Sequence, residues 1–173
     1  EPMNNALAAD PSLRAMLVLQ AFAGLRRAES ERLTGGHIHL DGRQPFVEIP
    51  SEVTKTNRRR VTDLPGNAVE WLKPLEKPAA QLLGTGEREY DARLKKAARL
   101  ASIKWDGNLL RHSFGSYRLP ILKNAAAVAE EMGNSASVVR THYTNLVRPE
   151  EVTAYWNVRP LQPSITQKSQ PES

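Results

Sequence analysis

The sequence predicts an α+β fold that is mainly helical and includes one small three-stranded antiparallel sheet. Helices are indicated where apolar residues recur at intervals of three and four, most clearly in the pattern L-x-x-A-A-x-x-A over 94–101. Strands are indicated where apolar and polar residues alternate, over 37–40, 46–49 and 60–64. With 173 residues, of which 40% are hydrophobic, the chain can form one domain around its own core.

The first half of the chain predicts two helices followed by the sheet. Pro11 opens a dense apolar run over 12–23, and proline suits the first turn of a helix. A glycine interrupts this run, and a short second helix is expected over 28–33. In the sheet, the dipeptide D-G at 41–42 forms the first turn, and the second connection contains Lys55 and three consecutive arginines.

The second half predicts a series of helices joined by turns. They are expected over 67–75, 90–102, 108–119, 123–132, 135–143 and 149–157. The residues after Val158 are rich in proline, serine and glutamine, a composition that buries little apolar surface. We therefore expect one domain over 1–158 and a flexible tail over 159–173.

The charge of the chain favours a polyanionic partner. There are 24 basic and 19 acidic residues, which gives a net charge of +5. Without cysteine the chain cannot form disulfides or thiolate metal sites. It also lacks an apolar run of about 18 residues, so no membrane partner is expected, and a cytoplasmic location is expected.

Four short motifs follow one another along the chain. They are G-L-R-R-A-E at 24–29, T-K-T-N-R-R-R at 54–60, N-L-L-R-H at 108–112, and G-N at 133–134. Tyr143 stands nine residues after the asparagine of the last motif. In this order they resemble the catalytic domain of the tyrosine recombinases, or phage integrases, whose pattern is G-L-R-x-x-E, a hairpin K-T, H-x-L-R-H, and L-G-H followed by a tyrosine.

The resemblance extends over roughly residues 10–158 and implies both a fold and an activity. The fold is that of the recombinase catalytic domain, and the activity is site-specific DNA recombination or integration through a 3′-phosphotyrosyl intermediate. It implies double-stranded DNA as the partner and no cofactor or metal. The protein would be a monomer or weak oligomer in the absence of DNA and a homo-tetramer on DNA, where it would be associated with the nucleoid. Family members usually have a helical core-binding domain before this point, and we expect it to be absent from this chain.

The resemblance also implies a role for each matched residue. Arg26 and Arg111 would clamp the non-bridging oxygens of a phosphodiester, because a guanidinium grips phosphate in two places. Lys55 would protonate the leaving 5′ oxygen, and Tyr143 would attack phosphorus as a covalent nucleophile. The implied catalytic residues are Arg26, Lys55, Asn108, Arg111, Asn134 and Tyr143.

Other residues are expected to support the site or to contact DNA. Glu29 lies one helical turn from Arg26 and would orient it, and His112 would pack against the site without transferring protons. Contacts with the DNA backbone are expected from Arg27, Arg58, Arg59, Arg60, Lys95 and Lys96. Three of the matched positions also have a plainer interpretation: Arg26 with Glu29 as an exposed ion pair, Lys55 as a solvated turn lysine, and Tyr143 as a core tyrosine.

Two positions depart from the family pattern. Asn108 stands where histidine or lysine is usual, and Asn134 where histidine or tryptophan is usual. An asparagine amide can donate a hydrogen bond to a phosphate oxygen, but it cannot hold a proton. Loss of one acid–base group typically costs about 10²–10⁴ in rate.

Three functions are therefore compatible with the sequence. The leading one is a recombinase that works through Tyr143, with activity reduced by the two asparagines. The second is a topoisomerase of type IB, which would use related chemistry to relax DNA as a monomer. The third is a catalytically lapsed protein that keeps the fold and binds DNA.

Overall fold

A computed structural model describes residues 11–55, 57–73, 87–105, 107–144 and 146–160 of the chain. This part of the chain is mainly helical, with one small sheet. In the described ranges the helices are α1 (Pro11–Phe22), α2 (Arg27–Arg32), α3 (Gly66–Leu72), α4 (Glu87–Leu100), α5 (Leu109–Leu122), α6 (Ala125–Met132), α7 (Ala136–Tyr143) and α8 (Pro149–Trp156). The strands are β1 (Ile38–His39), β2 (Phe46–Ile49) and β3 (Arg60–Asp63). The predicted fold class is confirmed.

The sheet is antiparallel throughout, with the strands in the order β1-β2-β3. Ile38 lies opposite Val47, and Ile49 lies opposite Arg60. Val47 and Ile49 are fully buried while Phe46 and Glu48 are partly exposed, as the alternation of the sequence predicted. This register places Arg60 at the start of β3, beside the end of β2.

Among the described residues, the core has two parts. The larger surrounds α1, whose apolar residues are buried on nearly all sides because α3, α5 and the short α2 pack around it. The smaller joins α5, α6 and α7 and includes Phe114, Met132, Val139 and Tyr143. Trp156 at the end of α8 packs against this second cluster, and its indole N–H donates to the Tyr117 carbonyl at 3.1 Å.

Several elements differ in their bounds from the sequence-based prediction. The helix predicted over 90–102 spans Glu87–Leu100, and the helix predicted over 108–119 continues through Pro120 to Leu122. The first strand was predicted over 37–40, but it is limited to Ile38–His39 because His37 closes a 3₁₀ turn in which its Nδ1 accepts from the Thr34 N–H at 3.1 Å. The helix predicted over 67–75 begins at Gly66, and residues 74 and 75 of that prediction lie outside the described residues. Residues 161–173 of the predicted tail also lie outside them.

No helix within the described ranges is long and apolar enough to cross a membrane. Nor does any group of three or more histidine, aspartate or glutamate side chains in that part of the chain lie close enough to hold a metal ion.

Candidate active site

A cavity of about 520 Å³ lies where α2, α5 and α7 approach one another. Five of the six residues predicted to be catalytic line it, together with His112. They are Arg26, Asn108, Arg111, Asn134 and Tyr143. These residues come from four separate segments of the chain, so the fold is what brings them together.

Arg26 is positioned by the turn between α1 and α2. Gly24 has a φ of +64°, and a Cβ at this position would lie 2.5 Å from the Phe114 ring, so the turn requires glycine. Arg26 then precedes the first residue of α2, and its Nη2 donates to the Gly133 carbonyl at 2.6 Å. Its Nη1 donates to Glu29 at 2.9 Å.

Arg111 lies in the first turn of α5 and is only 6% exposed. Its guanidinium donates to the Gly24 carbonyl and, at 2.7 Å, to the Met132 carbonyl. Burial, with the positive charge of Arg26 nearby, lowers the pKa of Arg111 to about 10, so the group remains charged at neutral pH. Two guanidinium groups held this close together favour binding of an anion between them.

Asn134 connects the two arginines. Its Oδ1 accepts from Arg26 Nη2 at 2.8 Å and from Arg111 Nη2 at 3.0 Å. Gly133, with a φ of +62°, ends α6 in the left-handed conformation and directs the chain so that Asn134 reaches the cavity. The amide oxygen of Asn134 is therefore a neutral acceptor for Arg26 and Arg111, and a phosphate oxygen could accept from the same two donors.

A buried carboxylate stabilises the arginines from behind. Glu29 is 1% exposed and accepts from the Arg26 N–H, from Arg26 Nη1 and, at 3.0 and 2.7 Å, from two nitrogens of Arg60. Burial alone would raise the pKa of Glu29, but the hydrogen bonds and charges of Arg60 and Arg26 hold it below its ordinary value. Glu29 therefore stays ionised and supports Arg26, in the position that the sequence predicted.

Tyr143 lies at the last residue of α7 and is 4% exposed. Its ring packs over Gly115, where an added Cβ would lie 3.0 Å from three ring atoms, so any larger residue would require the ring to shift by a few tenths of an ångström. Its hydroxyl is 3.0 Å from His112 Nδ1. Burial raises the pKa of Tyr143 and the nearby charge of Arg111 lowers it, with burial the larger effect.

The structure does not bring Lys55 to the cavity. It is exposed in the connection between β2 and β3, after the 3₁₀ turn Ser51–Val53, and it does not line the cavity. Asn108 lies at the entrance to α5 and does line it.

The predicted DNA-contacting residues divide into two groups. Arg58, Arg59, Lys95 and Lys96 are exposed. Arg59 pairs with Glu48 at 2.7 Å. Arg27 and Arg60 are less exposed and are also held by protein partners. Arg27 pairs with Glu31 and Asp91 and lies 4.3 Å above the Tyr90 ring, and Arg60 is bound to Glu29.

Three features of the site were not recognised in the sequence. They are the pairing of Arg60 with Glu29, the contact of His112 with the tyrosine hydroxyl, and the close packing of the Tyr143 ring on Gly115. The last had a signal, because a glycine inside a predicted helix, four residues after Arg111, indicates close packing.

The other tyrosines near the site have structural roles. Tyr117 and Tyr155 stack with ring centroids 4.2 Å apart, and the Tyr155 hydroxyl donates to the Ala21 carbonyl. Burial raises the pKa of Tyr155 well above its ordinary value. Of these tyrosines, Tyr143 lines the cavity together with the two arginines.

Three solved structures resemble this chain in fold. The crystal structure of XerA recombinase matches with a TM-score of 0.65 and 17% identity, over 93% of this chain and 61% of that one. XerH site-specific recombinase bound to palindromic difH substrate, in a post-cleavage complex, matches with a TM-score of 0.65 and 17% identity, over 89% and 50% of the two chains. XerH bound to difH substrate in a pre-cleavage complex matches with a TM-score of 0.62 and 20% identity, over 90% and 52%.

The chain spans between half and about three-fifths of the length of these recombinases. No sequence profile of a protein family and no curated protein matches it. The similarity is therefore one of three-dimensional structure, and it agrees with the four motifs that predicted it. The described part of the chain has the fold of the tyrosine recombinase catalytic domain.

Proposed function

We propose that this chain is the catalytic part of a DNA strand transferase that cleaves and rejoins DNA through Tyr143. The observation on which this proposal rests is that the Tyr143 hydroxyl, Arg26 and Arg111 share one cavity. A phosphodiester placed there would share the cavity with one nucleophile and two positively charged guanidinium groups. Preorganised donors at the developing negative charge usually make the largest contribution to such catalysis.

The first step is attack of Tyr143 Oη on phosphorus. The bond between Oη and phosphorus forms as the bond from phosphorus to the 5′ oxygen breaks, which leaves a 3′-phosphotyrosyl link and a free 5′ hydroxyl. Arg26 and Arg111 bind the non-bridging oxygens, and these oxygens replace Asn134 Oδ1 as their acceptor. A second 5′ hydroxyl reverses the reaction and joins the strands.

The leaving 5′ oxygen needs a proton, and Lys55 is the residue we propose for it. Its side chain is exposed and outside the cavity, so the connection between β2 and β3 has to close over the DNA. Cleavage in the Lys55→Ala variant should be slow with a normal 5′ oxygen. With a 5′-bridging phosphorothiolate it should be close to wild type, because a thiolate leaves without protonation.

We propose that double-stranded DNA binds across the exposed basic side chains Arg58, Arg59, Lys95 and Lys96. Each phosphate contact releases counterions, so binding should weaken steeply with salt. Both XerH structures are complexes of a site-specific recombinase with its difH substrate, which supports the same class of partner here. A homo-tetramer on DNA, with nucleoid association, is part of this proposal.

The test is covalent trapping on supercoiled plasmid DNA that carries a randomised segment. After denaturation, captured DNA is sequenced for wild type, for Tyr143→Phe and for the matched control Tyr117→Phe. We expect wild type and Tyr117→Phe to retain DNA and Tyr143→Phe to lose it. Equal retention by Tyr143→Phe would contradict the proposal.

A second candidate function, DNA binding without cleavage, is favoured by Asn134 because its amide already occupies both arginines. The variant that combines Asn108→His with Asn134→His separates the two candidates. If only this variant forms an adduct, the native chain is a lapsed catalyst. If wild type relaxes plasmid without joining paired sites, its activity is that of a topoisomerase.

A further inference from the structure

We infer that His112 is a catalytic residue, the group that accepts the Tyr143 hydroxyl proton during attack on phosphorus. This inference rests on the proposed function, since it assigns a base to the same nucleophile. It differs from the role expected from sequence, in which His112 only packs against the site.

The contact between the two side chains is a hydrogen bond and not a stack of rings. His112 Nδ1 lies 3.0 Å from Tyr143 Oη, while the ring centroids are 5.7 Å apart and the rings are tilted by 47°. A general base has to lie within hydrogen-bond reach of the proton that it takes, and 3.0 Å meets that requirement before any DNA is bound.

The nucleophile needs a base because its surroundings oppose ionisation. Tyr143 is almost fully buried, and burial raises the pKa of its phenol. Asn108, which stands where the family pattern has an acid–base residue, has an amide that cannot take up a proton. Among the residues that line the cavity, His112 has a ring nitrogen that can accept a proton and that is hydrogen-bonded to the Tyr143 hydroxyl.

The position of His112 also lets it exchange protons with solvent. Its side chain is exposed at the surface of α5, whereas Tyr143 is enclosed between α5 and α7. The charged and titratable groups around it are Arg111 on the same helix, His142 on α7, and Arg26, Arg27 and Glu31 from the segment of α2. A proton taken from the phenol can therefore leave the site, and it can return when the phosphotyrosyl link is reversed.

The proton transfer balances with the cleavage step. The Oη–H bond breaks and an Nδ1–H bond forms, so neutral imidazole becomes imidazolium as Oη bonds to phosphorus. The 5′ oxygen leaves with the electron pair of its bond to phosphorus and takes a proton from the Lys55 ammonium. In the reverse step, imidazolium returns the proton to the phenolate oxygen.

The inference makes a prediction that does not require activity. For Nδ1 to accept, the neutral imidazole must have its proton on Nε2. Long-range ¹H–¹⁵N correlation spectra recorded at about pH 8, where an ordinary histidine is neutral, report this tautomer for each of the four histidines. The His112 signals are assigned by their loss in His112→Gln.

We expect the Nε2–H tautomer at His112, and a shift of the Nδ1 resonance in Tyr143→Phe, where the hydroxyl is missing. His142 in the same spectrum is the internal control, because its ring contacts Tyr143 without a hydrogen bond between them. A proton on Nδ1, or an Nδ1 resonance that is unchanged in Tyr143→Phe, would overturn the inference whether or not the chain cleaves DNA.

Cleavage supplies the second readout. Glutamine at this position can form a hydrogen bond but cannot hold a proton, so His112→Gln should slow adduct formation by about 10²–10⁴ at an unchanged thermal midpoint. Added imidazole should restore part of the rate in His112→Ala, where space is left for it, and less in His112→Gln. Rates within about threefold of wild type in both variants would refute the base, whereas loss of all adducts in wild type would count against the proposed function instead.

Discussion

Replacing Glu29 with glutamine is the sharpest test of how the site is held together. Glu29 is 1% exposed and accepts four hydrogen bonds, two from Arg26 and two from Arg60. Glutamine keeps the shape but has one acceptor oxygen, and its amide hydrogens would face a guanidinium that also donates. Arg60, whose side chain is only 12% exposed, would then be left without its carboxylate.

The expected loss of stability is large for a substitution of equal size. Removing one partner of a buried ion pair costs about 3–5 kcal/mol, because the other charge stays buried. A chain of this length loses about 2–4 °C of thermal midpoint for each kcal/mol, so the midpoint should fall by roughly 6–20 °C. Adduct formation should fall as well, since Arg26 loses the group that orients it.

The assay is denaturant unfolding of wild type, Glu29→Gln, Arg60→Met and the double variant. The free energies should not add, because both single changes break the same interaction, and the coupling should reach about 0.5–3 kcal/mol. Glu48→Gln is the matched control, since its partner Arg59 is exposed, and it should leave unfolding unchanged within error.

A free energy of unfolding for Glu29→Gln within about 1 kcal/mol of wild type would refute this reasoning, because it would mean that the pair contributes no more than a surface pair does. Additive losses in the double variant would also refute it.

Three further predictions concern the same site. Gly115→Ala should displace the Tyr143 ring, cost about 1–3 kcal/mol and reduce adduct formation, while Gly107→Ala, where an added Cβ meets nothing within 4 Å, should do neither. Asn134→Asp should leave the thermal midpoint unchanged or raise it, because a carboxylate can pair with both arginines. It should lower the adduct yield by about 10²–10³, because the carboxylate excludes phosphate from the arginines. An undiminished yield would contradict this. The pKa of Glu29 is lowered in the folded chain, so its stabilisation is complete above the unfolded pKa of about 4.3 and is lost as pH falls through the folded value. Acid titration of wild type should therefore be steeper than that of Glu29→Gln, and equal slopes would contradict it.

Much of the fold could be predicted because local signals mark the boundaries of its elements. Gly24 and Gly133 end helices or turns where the chain needs a positive φ, and both were visible in the sequence. The amphipathic pattern of α4 and the alternation in β2 gave their buried faces directly. His37 was assigned to a strand because its side chain bond to Thr34 leaves no mark in the hydrophobic pattern.

The site was predicted in part. Five of the six residues that the motifs marked as catalytic line the cavity, and Lys55 does not; the motifs gave no indication of how the lining residues are connected. Glu29 and Arg60 are 31 positions apart and meet only because β3 packs beside α6 and the start of α2, which no local pattern encodes. The contact between His112 and Tyr143 depends in the same way on the packing of α5 against α7.

The most direct test of covalent catalysis by Tyr143 is peptide mapping of the trapped adduct by mass spectrometry. Protein recovered with DNA is digested with nuclease and protease, and the mass added by the remaining nucleotide is located in the chain. A 3′-linked nucleotide phosphate on Tyr143, and none on Tyr117 or Tyr155, is the expected result. A nucleotide on any other residue, or recovered DNA without a phosphotyrosyl peptide, would contradict it.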